Sequence, residues 1–325
     1  MNQLYLGIDV SKEAFDVALL GEQTHQARFD NNKSGFKKLA RWLKKRKVKQ
    51  VNACLEATGR YWEELALFLV DGGHGLSVVN PKLIKRYAEA RMQRNKNDRQ
   101  DALTIAHFCA TQQPDLWAPP SPARRQLKEM VRHLAALKED RQRVRNRKSS
   151  GIGSPELLAM MAQQIAFLDE QIEQLEKQIN DHIDQDPELK ADKALLLTVP
   201  AVGDAISMTF LAEVPDVSLF ARADQLAAYA GLTPGEHISG GMIYRRARLN
   251  KWGNSRLRTI FYMPALSAHR WNPIIACLKE RLAARGKHKM TIVVAAMRKL
   301  LHLCYGVLKT RQPFDANYEV EPDFA

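Results

Sequence analysis

Apolar and polar residues in the first third of the chain alternate in short runs that predict five β-strands. The predicted strands cover residues 5–10, 15–20, 26–29, 51–55 and 76–79. Over 34–47 and 61–70, apolar residues recur every three to four positions, which is the spacing of a helix with one buried face. Pro81 suits the first turn of a further helix after the fifth strand.

The predicted order is therefore three strands, followed by helix, strand, helix, strand and helix. This order is typical of a ribonuclease H-like arrangement, in which a mixed sheet is flanked by helices. We predict an α/β domain of this kind over residues 1–118.

Two long helices of opposite charge are predicted within residues 119–190, after a proline-rich boundary. The segment 122–148 has ten basic and three acidic residues, a net charge of +7. The segment 155–190 has nine acidic and two basic residues, a net charge of −7, and its apolar residues alternate in steps of three and four, as in a coiled coil. An antiparallel hairpin and a coiled-coil dimer arm both fit this pattern. Packing between helices is enough to explain this line of apolar residues. Only the length of the line favours oligomerisation.

Residues 191–325 are predicted to form a mainly helical C-terminal domain with glycine-rich interruptions. Leu197 to Ala205 resembles the hairpin of a helix-hairpin-helix element, in which a tight glycine turn offers backbone N–H groups to a phosphate. Because Ala201 stands at the usual first glycine, Pro200–Gly203 fits a plain helix–helix turn as well as it fits a DNA contact.

Composition and charge narrow the class of protein. Among 325 residues, 49 Lys and Arg outnumber 36 Asp and Glu, so the net charge is +13 and polyanionic partners are favoured. An apolar fraction of 45% excludes a wholly disordered chain. No stretch reaches the ~18 uninterrupted apolar residues of a membrane span. The N-terminus lacks a secretory signal and the four cysteines form no CxxC pair, so we predict a cytoplasmic protein that does not bind membranes.

Four acidic residues stand where carboxylates can bind metal ions. Asp9 lies in the first predicted strand, and Glu56 follows the fourth strand at its carboxyl end, where ligands gather in α/β sheets. Asp98 and Asp101 are three residues apart, so on a helix they share one face. If these elements converge, the four carboxylates suit two Mg²⁺ ions about 4 Å apart, which activate the attacking oxygen and stabilise the leaving oxygen.

Each of these acids also has a purely structural alternative. Asp9 suits a turn cap and Glu56 suits a surface carboxylate. Asp98 and Asp101 suit the first turn of a helix, where the helix dipole favours acidic residues. Convergence of the four side chains is therefore a hypothesis.

Motifs spread over almost the whole chain resemble one known family. The matching segments are Gly7–Lys12, Leu55–Gly59, Asn80–Pro81, Asn95–Ala102, Ala230–Pro234, Ser239–Gly240, Lys251–Asn254, Tyr262–Ala265, Met297–Leu300 and Tyr305–Lys309. In this order they resemble the DEDD transposases of the insertion-sequence 110 family, whose N-terminal domain is RuvC-like. The chain departs from that pattern at Ala201 and at Gly241-Met242, where relatives often carry small polar residues.

This resemblance implies a site-specific DNA transposase or recombinase that inserts and excises its own element. It implies that Asp9, Glu56, Asp98 and Asp101 hold Mg²⁺, and that Ser239 is the nucleophile that joins covalently to the cut strand. It further implies a structured non-coding bridge RNA that pairs with donor and target DNA. The same resemblance implies a dimer or tetramer in which different protomers supply the two domains of one site.

Residue chemistry is compatible with these roles. A serine hydroxyl is a weak nucleophile at neutral pH and needs a base or a metal ion. No Ser-His-Asp arrangement is readable around Ser239, so metal ions held by the four acids are the candidate activator. Without the family resemblance, Ser239 beside Gly240 and Gly241 reads as an ordinary loop serine.

Two basic stretches are predicted to contact nucleic acid. The residues are Arg124, Arg125, Lys128, Arg132, Arg141 and Arg145 in the first long helix, and Arg245, Arg246, Arg248 and Lys251 within 236–258. The second stretch has six basic residues, one acid and interspersed Tyr244 and Trp252, which suits nucleic-acid backbones and bases. A solvated charged surface and structural salt bridges are the alternatives there.

Two other functions stay open on the sequence alone. A Mg²⁺-dependent structure-specific nuclease, resembling a Holliday-junction resolvase, would use the four acids with water as the attacking group. A non-catalytic nucleic-acid-binding protein would use the same acids for structure only. A covalent protein–DNA adduct that depends on Ser239 distinguishes the recombinase from both.

Overall fold

The computed structural model describes residues 4–57, 59–91, 98–239, 243–249 and 252–317. For residues 98, 236–239 and 243–248 it describes the backbone only. The chain forms two compact units, residues 1–119 and 120–325. Each unit is described separately below.

The N-terminal unit is a mixed five-stranded sheet with four helices. Its strands are β1 (Tyr5–Val10), β2 (Ala14–Leu20), β3 (His25–Asp30), β4 (Asn52–Glu56) and β5 (Gly75–Val79), and its helices are α1 (Lys33–Lys45), α2 (Glu63–Asp71), α3 (Pro81–Ala90) and α4 (Asp98–Gln112). The strand order is β3-β2-β1-β4-β5. β2 pairs antiparallel with β1 and β3, whereas β4 pairs parallel with β1 and β5. The predicted α/β class is therefore confirmed, and the eight predicted elements occur in the predicted order, followed by a further helix, α4.

Alternation along β1 divides the unit into two layers of side chains. Leu6 and Ile8 are fully buried in a core that also contains Leu39 of α1 and Leu65 of α2. Successive side chains of a strand point to opposite faces, so Gly7 and Asp9 belong to the other face. That second face packs against α3 and α4. Asp9 therefore belongs to the face that α4 covers.

The C-terminal unit is mainly helical, as predicted, but it also contains a β-hairpin that the sequence pattern did not predict. The helices are α5 (Pro122–Lys148), α6 (Pro155–Gln185), α7 (Pro187–Leu197), α8 (Asp204–Glu213), α9 (Ala223–Tyr229), α10 (Ser255–Ile260), α11 (Tyr262–Ser267), α12 (Pro273–Ala284) and α13 (Lys289–Thr310), with short 3-10 turns at Val217–Leu219 and Ala268–Arg270. The hairpin strands are β6 (Pro234–Ser239) and β7 (Ile243–Leu249). Few apolar residues alternate in β6 and β7, which is why the period of a strand is weak there.

Helices α5 and α6 pack against each other as an antiparallel pair. Leu127 and Leu134 of α5 are buried in the same core as Ile172 and Ile179 of α6. Lys138 pairs with a glutamate of α6, and residues nearer the start of α5 contact residues nearer the end of α6. The +7 helix therefore lies along the −7 segment, and the charges of the two helices compensate each other.

One helix, α13, is long and apolar enough to qualify as a membrane span by length and composition alone. Its apolar residues contribute to the core of the C-terminal unit, with Leu300, Leu301 and Cys304 fully buried. A core helix of a globular domain passes the same test of length and hydropathy. The absence of a membrane-spanning segment stays a prediction, and the buried residues of α13 are what a core helix also has.

Candidate active site

The contact between β1 and α4 is unusually close, and Gly7 makes it possible. A Cβ atom at Gly7 would lie 2.1 Å from the carbonyl oxygen of Ala102 and 2.2 Å from the backbone nitrogen of Ala106. At the other end of the helix, the thiol of Cys109 donates to the carbonyl oxygen of Asn52, with a distance of 3.7 Å. Helix α4 therefore crosses this face of the sheet from Gly7 of β1 towards the start of β4.

Three acidic side chains share the face of the sheet that α4 covers. Asp9 is two residues from Gly7, and Asp16 of β2 is its direct antiparallel partner. Glu56 is two residues from Cys54, the parallel partner of Gly7. Paired residues of neighbouring strands project to the same face of a sheet. Asp9, Asp16 and Glu56 are therefore brought to one face, in three adjacent strands.

Asp16 is the acid that sequence reasoning missed. Its side chain is 4% exposed, and Oδ2 lies 3.1 Å from Nη1 of Arg28, which is its cross-strand partner in β3. The signal in the sequence was the short connection between β1 and β2, because a tight hairpin fixes the register that sets Asp16 opposite Asp9. This register places a further carboxylate opposite Asp9.

The structure describes the two predicted acids of α4 to different extents. Asp101 immediately precedes Ala102, so it belongs to the helical turn that covers Gly7. Asp98 is the first residue of α4, and its side chain is outside the described part of the chain. Among the described residues, no group of three or more His, Cys, Asp or Glu side chains is close enough to hold a metal ion. Convergence of the predicted quartet therefore stays a prediction, because it includes Asp98.

Two buried thiols lie on the same face. Cys54 is fully buried, and its hydrogen bond with Cys109, together with burial, raises the pKa of the Cys54 thiol. A thiol with a raised pKa stays protonated and is a poor metal ligand. Mg²⁺ prefers oxygen ligands, so the carboxylates on this face are the groups that suit it.

Ser239 is the last residue of β6 and pairs with Ile243, so it stands at the turn end of the hairpin. Its backbone is described and its side chain is not. His237 pairs with Arg245, and a register shift separates that pair from the one that contains Gly235. The structure therefore gives Ser239 a defined backbone position at the end of a β-hairpin, where the sequence suggested a loop.

The base of the hairpin is fixed by a close backbone contact. A Cβ atom at Gly253 would lie 2.2 Å from the backbone nitrogen of Gly231 and 2.3 Å from the carbonyl oxygen of Tyr229. The backbone N–H of Asn254 donates to the same Tyr229 oxygen, with a distance of 2.7 Å. The chain segments that enter and leave the hairpin are therefore held together.

A buried carboxylate reinforces this base. The Glu213 side chain is 1% exposed and accepts two hydrogen bonds from the Arg132 guanidinium, at 2.8 and 2.9 Å. The Asn254 amide donates to the same carboxylate at 2.8 Å, and Arg256 lies 3.8 Å away. The Tyr229 hydroxyl donates to the Glu213 carbonyl oxygen at 2.9 Å. This Glu213 cluster connects α5, α8 and α9 to the segment that follows the hairpin.

The electrostatics of the Glu213 cluster favour the charged carboxylate. Burial alone would raise the pKa of Glu213, but hydrogen bonds from Arg132 and Asn254 and the charges of Arg132 and Arg256 outweigh it. The pKa of Glu213 therefore lies below its ordinary value, and the carboxylate is ionised at neutral pH.

Several predicted nucleic-acid contacts of α5 form ion pairs within the unit. Arg124 is buried and donates to Asp192 at 2.6 Å and to Glu188 at 2.9 Å. Arg132 belongs to the Glu213 cluster, and Asp169 of α6 accepts from both Arg141 and Arg145. Other members of this set, Arg125 and Lys128, are half-buried. Much of the positive charge of α5 is therefore used to hold the unit together.

The remaining predicted contacts have the following positions. Arg245, Arg246 and Arg248 lie on β7, of which only the backbone is described, and Lys251 lies outside the described residues. Pro200–Gly203 lies in the connection between α7 and α8, where Ala201 has a positive φ of 76°. A glycine adopts this conformation without strain, so the backbone there has the geometry of a glycine turn although the residue is alanine.

Comparison with known proteins agrees with this architecture. Residues 6–150 match the family profile described as a transposase of the DEDD IS110 type. Residues 193–279 match the family described as "Transposase IS116/IS110/IS902 family". The first match contains β1 to α5, and the second contains the Glu213 cluster and the hairpin.

Whole-length relatives lead to the same family. A pilin gene-inverting protein of Moraxella bovis is 34% identical over 320 residues, which cover 97% of this chain and 98% of the relative. The pilin gene-inverting protein of Moraxella lacunata matches with the same identity and coverage. A probable family 20 transposase of Pseudomonas aeruginosa is 24% identical over 88% of both chains. The chain therefore belongs to the IS110 family of DEDD transposases, and it is a DNA transposase or recombinase.

Proposed function

We propose that this protein is a site-specific recombinase in which Asp9, Glu56, Asp98 and Asp101 bind Mg²⁺ and Ser239 attacks the DNA phosphodiester. The observation that carries this proposal is the shared face of Asp9 and Glu56 beneath α4, the helix that contains Asp98 and Asp101. In this proposal the N-terminal domain, 1–118, is RuvC-like and has a ribonuclease H-like fold. Residues 119–190 form a coiled-coil arm, and 191–325 form the transposase domain.

The residues available on this face fit a divalent metal ion. Carboxylate oxygens are the ligands that Mg²⁺ prefers, and Asp9 and Glu56 lie in neighbouring strands of a rigid sheet. When bound, the metal would neutralise charge on the phosphate and lower the pKa of the attacking hydroxyl. The chain's own contribution is to hold the carboxylates on strands and on one helix, so that little reorganisation is needed.

Ser239 supplies the attacking oxygen in this proposal. Its hydroxyl loses a proton and forms a bond to the DNA phosphorus, and the 3′ or 5′ oxygen of the cut strand leaves with a proton. Attack by a hydroxyl of a second DNA end reverses the step and releases the serine. The rigid base of the hairpin supports such a role, because a nucleophile is effective only when it is positioned within about 3–3.5 Å of its target.

The proposed recombinase function also includes three kinds of partner. Duplex DNA is the substrate, a structured non-coding guide RNA pairs with donor and target, and the active form is a homo-oligomer. The relatives named for pilin gene inversion support recombination between defined sites. The basic residues of the second stretch, including Arg245, Arg246, Arg248 and Lys251, would contact nucleic-acid backbones.

A denaturing gel of protein with end-labelled DNA, Mg²⁺ and RNA transcribed from the flanking DNA tests the proposal. We expect a covalent protein–DNA adduct in the wild type, none with Ser239→Ala, and none with Asp9→Asn or with chelator. Ser255→Ala is the matched control, because Ser255 is an exposed serine in the same unit.

Three outcomes of this experiment would contradict parts of the proposal. Cleavage without an adduct that persists in Ser239→Ala indicates the structure-specific nuclease, with water as the attacking group. No cleavage with any divalent ion, together with unchanged DNA binding by Asp9→Asn, indicates a non-catalytic binding protein. Full activity after exhaustive ribonuclease treatment removes the guide RNA from the proposal and leaves the chemistry.

A further inference from the structure

The connection between α12 and α13 is a concentrated patch of positive charge. Residues 279–289, called the basic turn below, contain five basic residues and one acid, a net charge of +4. The basic residues are Lys279, Arg281, Arg285, Lys287 and Lys289, and all five are exposed. In the ranges that the structure describes, none of the five forms an ion pair with a carboxylate.

This lack of internal partners distinguishes the basic turn from α5. On α5, Arg124, Arg132 and Arg141 are each neutralised by a carboxylate of the same unit. In the basic turn, Arg281 of α12 and Arg285 at its C-cap are four residues apart, so two like charges lie next to each other. Because no carboxylate of the described residues neutralises these five cations, their charge is available to an anionic partner from another molecule.

The backbone of the basic turn is well defined. Gly286 has a positive φ of 66°, and its N–H donates to the Ala283 carbonyl oxygen at 2.9 Å. The N–H of Lys287 donates to the Leu282 carbonyl oxygen at 3.1 Å, which completes a Schellman motif at the end of α12. His288 then caps the start of α13 by accepting from the N–H of Met290. The cations are therefore carried by a structured turn, which lowers the ordering cost of binding.

We propose that the basic turn binds the phosphate backbone of duplex DNA. Lysine and arginine bind phosphates and supply affinity that does not depend on sequence. Between 279 and 289 there is no Phe, Tyr or Trp on which an unpaired base could stack, and no Asn or Gln to pair with adenine. These absences favour a duplex backbone over single-stranded RNA, and a DNA duplex is the substrate class of a transposase or recombinase.

Cys277 offers a direct test of proximity. It is the exposed cysteine of the chain, whereas Cys54, Cys109 and Cys304 are buried. Cys277, Arg281 and Arg285 are spaced four residues apart on α12 and at its end, so they lie along one side of the helix. A photo-crosslinker attached to Cys277 in the full-length protein should therefore reach DNA held by the basic turn.

The main experiment measures the affinity for a DNA duplex at several salt concentrations, in chelator so that no strand is cut. The variant Arg285→Gln/Lys287→Gln/Lys289→Gln removes three charges from the basic turn. The matched control, Lys33→Gln/Lys37→Gln/Lys44→Gln, removes three charges from exposed positions of α1. We expect the basic-turn variant to bind at least about tenfold more weakly and to lower the slope of log K against log[salt] by about 2–3, close to 0.9 per lost phosphate contact. We expect the control to change the slope by less than about 1.

Each other outcome overturns the proposal. Equal losses in both variants would mean that only net charge matters, and a loss for an RNA duplex without a loss for DNA would mean that the partner is RNA. Intact DNA binding without a salt-sensitive crosslink from Cys277 would place the duplex elsewhere. Circular dichroism melts of both variants check folding. The assay does not involve Ser239 or Mg²⁺, so its failure leaves the proposed chemistry untouched.

Discussion

The candidate metal site and the base of the Ser239 hairpin are built from different contacts. At the first of these, α4 approaches β1 directly, because Gly7 has no side chain to separate the two backbones. At the hairpin, Gly253 permits a similar approach to Tyr229–Gly231, but the buried charge of Glu213 is added to it. The contact of α4 with β1 depends on shape, whereas the base of the hairpin depends on shape and on the ionised Glu213.

This difference predicts how each region responds to perturbation. Contacts between backbones of small residues respond strongly to added volume and hardly to pH. A buried carboxylate shared by two arginines and an amide responds to the loss of either its charge or its partners. Added volume at the contact between α4 and β1 should therefore destabilise the N-terminal unit, and loss of the buried charge should destabilise the C-terminal unit.

The largest effect is expected for Gly7→Ala. The new Cβ would lie 2.1 and 2.2 Å from backbone atoms of α4, so the helix must move away from β1. We expect the free energy of unfolding of the N-terminal unit to fall by about 3 kcal/mol or more. We also expect strand cleavage to fall at least about a hundredfold, because Asp101 moves with the helix. Denaturant unfolding and a cleavage assay measure the two effects.

Gly21→Ala is the control for this prediction, because its Cβ would meet the flexible end of Leu4 at 2.9 Å and the Gln23 carbonyl oxygen at 3.8 Å, an ordinary contact distance. It should cost much less stability than Gly7→Ala. Equal stability of the two variants would show that α4 is held less tightly than the contact at Gly7 indicates.

The next effect is expected for Glu213→Gln. Loss of the carboxylate charge leaves Arg132 without its bidentate partner, and breaking a buried pair costs about 3 kcal/mol. Glu188→Gln is the matched control, because Glu188 is 61% exposed and Arg124 keeps Asp192. The control should cost less than about 1 kcal/mol. Similar losses in both variants would contradict a special role for the Glu213 cluster.

The pH dependence of the same variant sharpens the comparison. The folded-state pKa of Glu213 is lowered, so its stabilisation is fully present above the unfolded value of about 4.5 and is lost as the pH falls through the folded pKa. The difference in unfolding free energy between the wild type and Glu213→Gln should therefore be constant above pH ~5 and shrink in more acidic solution. A constant difference down to the lowest measurable pH would contradict this assignment.

The same contrast explains what sequence could predict. The strands and helices of the N-terminal unit follow from apolar periodicity, and Asp9 and Glu56 follow from their positions at strand ends. Asp16 was missed because it reads as one polar residue in an apolar strand, and its position opposite Asp9 appears only once the register of β1 and β2 is known. Local patterns therefore predict elements more readily than the pairing between elements.

In the C-terminal unit, local sequence patterns do not identify the important contacts. Glu213 contacts Arg132 and Asn254, which are 81 and 41 residues away in the chain, so no local pattern identifies it. Basic charge on α5 suggested nucleic acid, yet Arg124 and Arg141 are bound by carboxylates of the same unit. The opposite charges of α5 and α6 were visible in the sequence, but which individual side chains pair is decided by the three-dimensional packing.

A smaller effect on stability is expected for Asp16→Asn. The substitution weakens the bond to Arg28 but also removes a like charge opposite Asp9, so the two changes oppose each other and the net change should stay below about 1 kcal/mol. The stabilisation of the unit by added Mg²⁺ should decrease, because a negative charge beside the proposed ligands is lost. Asp30→Asn, an exposed acid paired with Lys38, should leave that stabilisation unchanged. Equal Mg²⁺ responses in wild type and Asp16→Asn would remove Asp16 from the site.

The smallest effect is expected for Ala201→Gly, in the turn between α7 and α8. The φ of 76° places Ala201 in the left-handed region, which costs an L-residue about 1–2 kcal/mol, whereas glycine loses about 1 kcal/mol more backbone entropy on folding. The variant should therefore be more stable than the wild type by about 0.5 kcal/mol. Ala205→Gly, four residues on in the first turn of α8, should instead be less stable by up to about 1 kcal/mol. Opposite signs for one chemical change would show that backbone shape constrains the C-terminal unit too, in addition to the charges of the Glu213 cluster. Equal signs would mean that the turn relaxes, and that the Glu213 cluster alone sets the difference between the two regions.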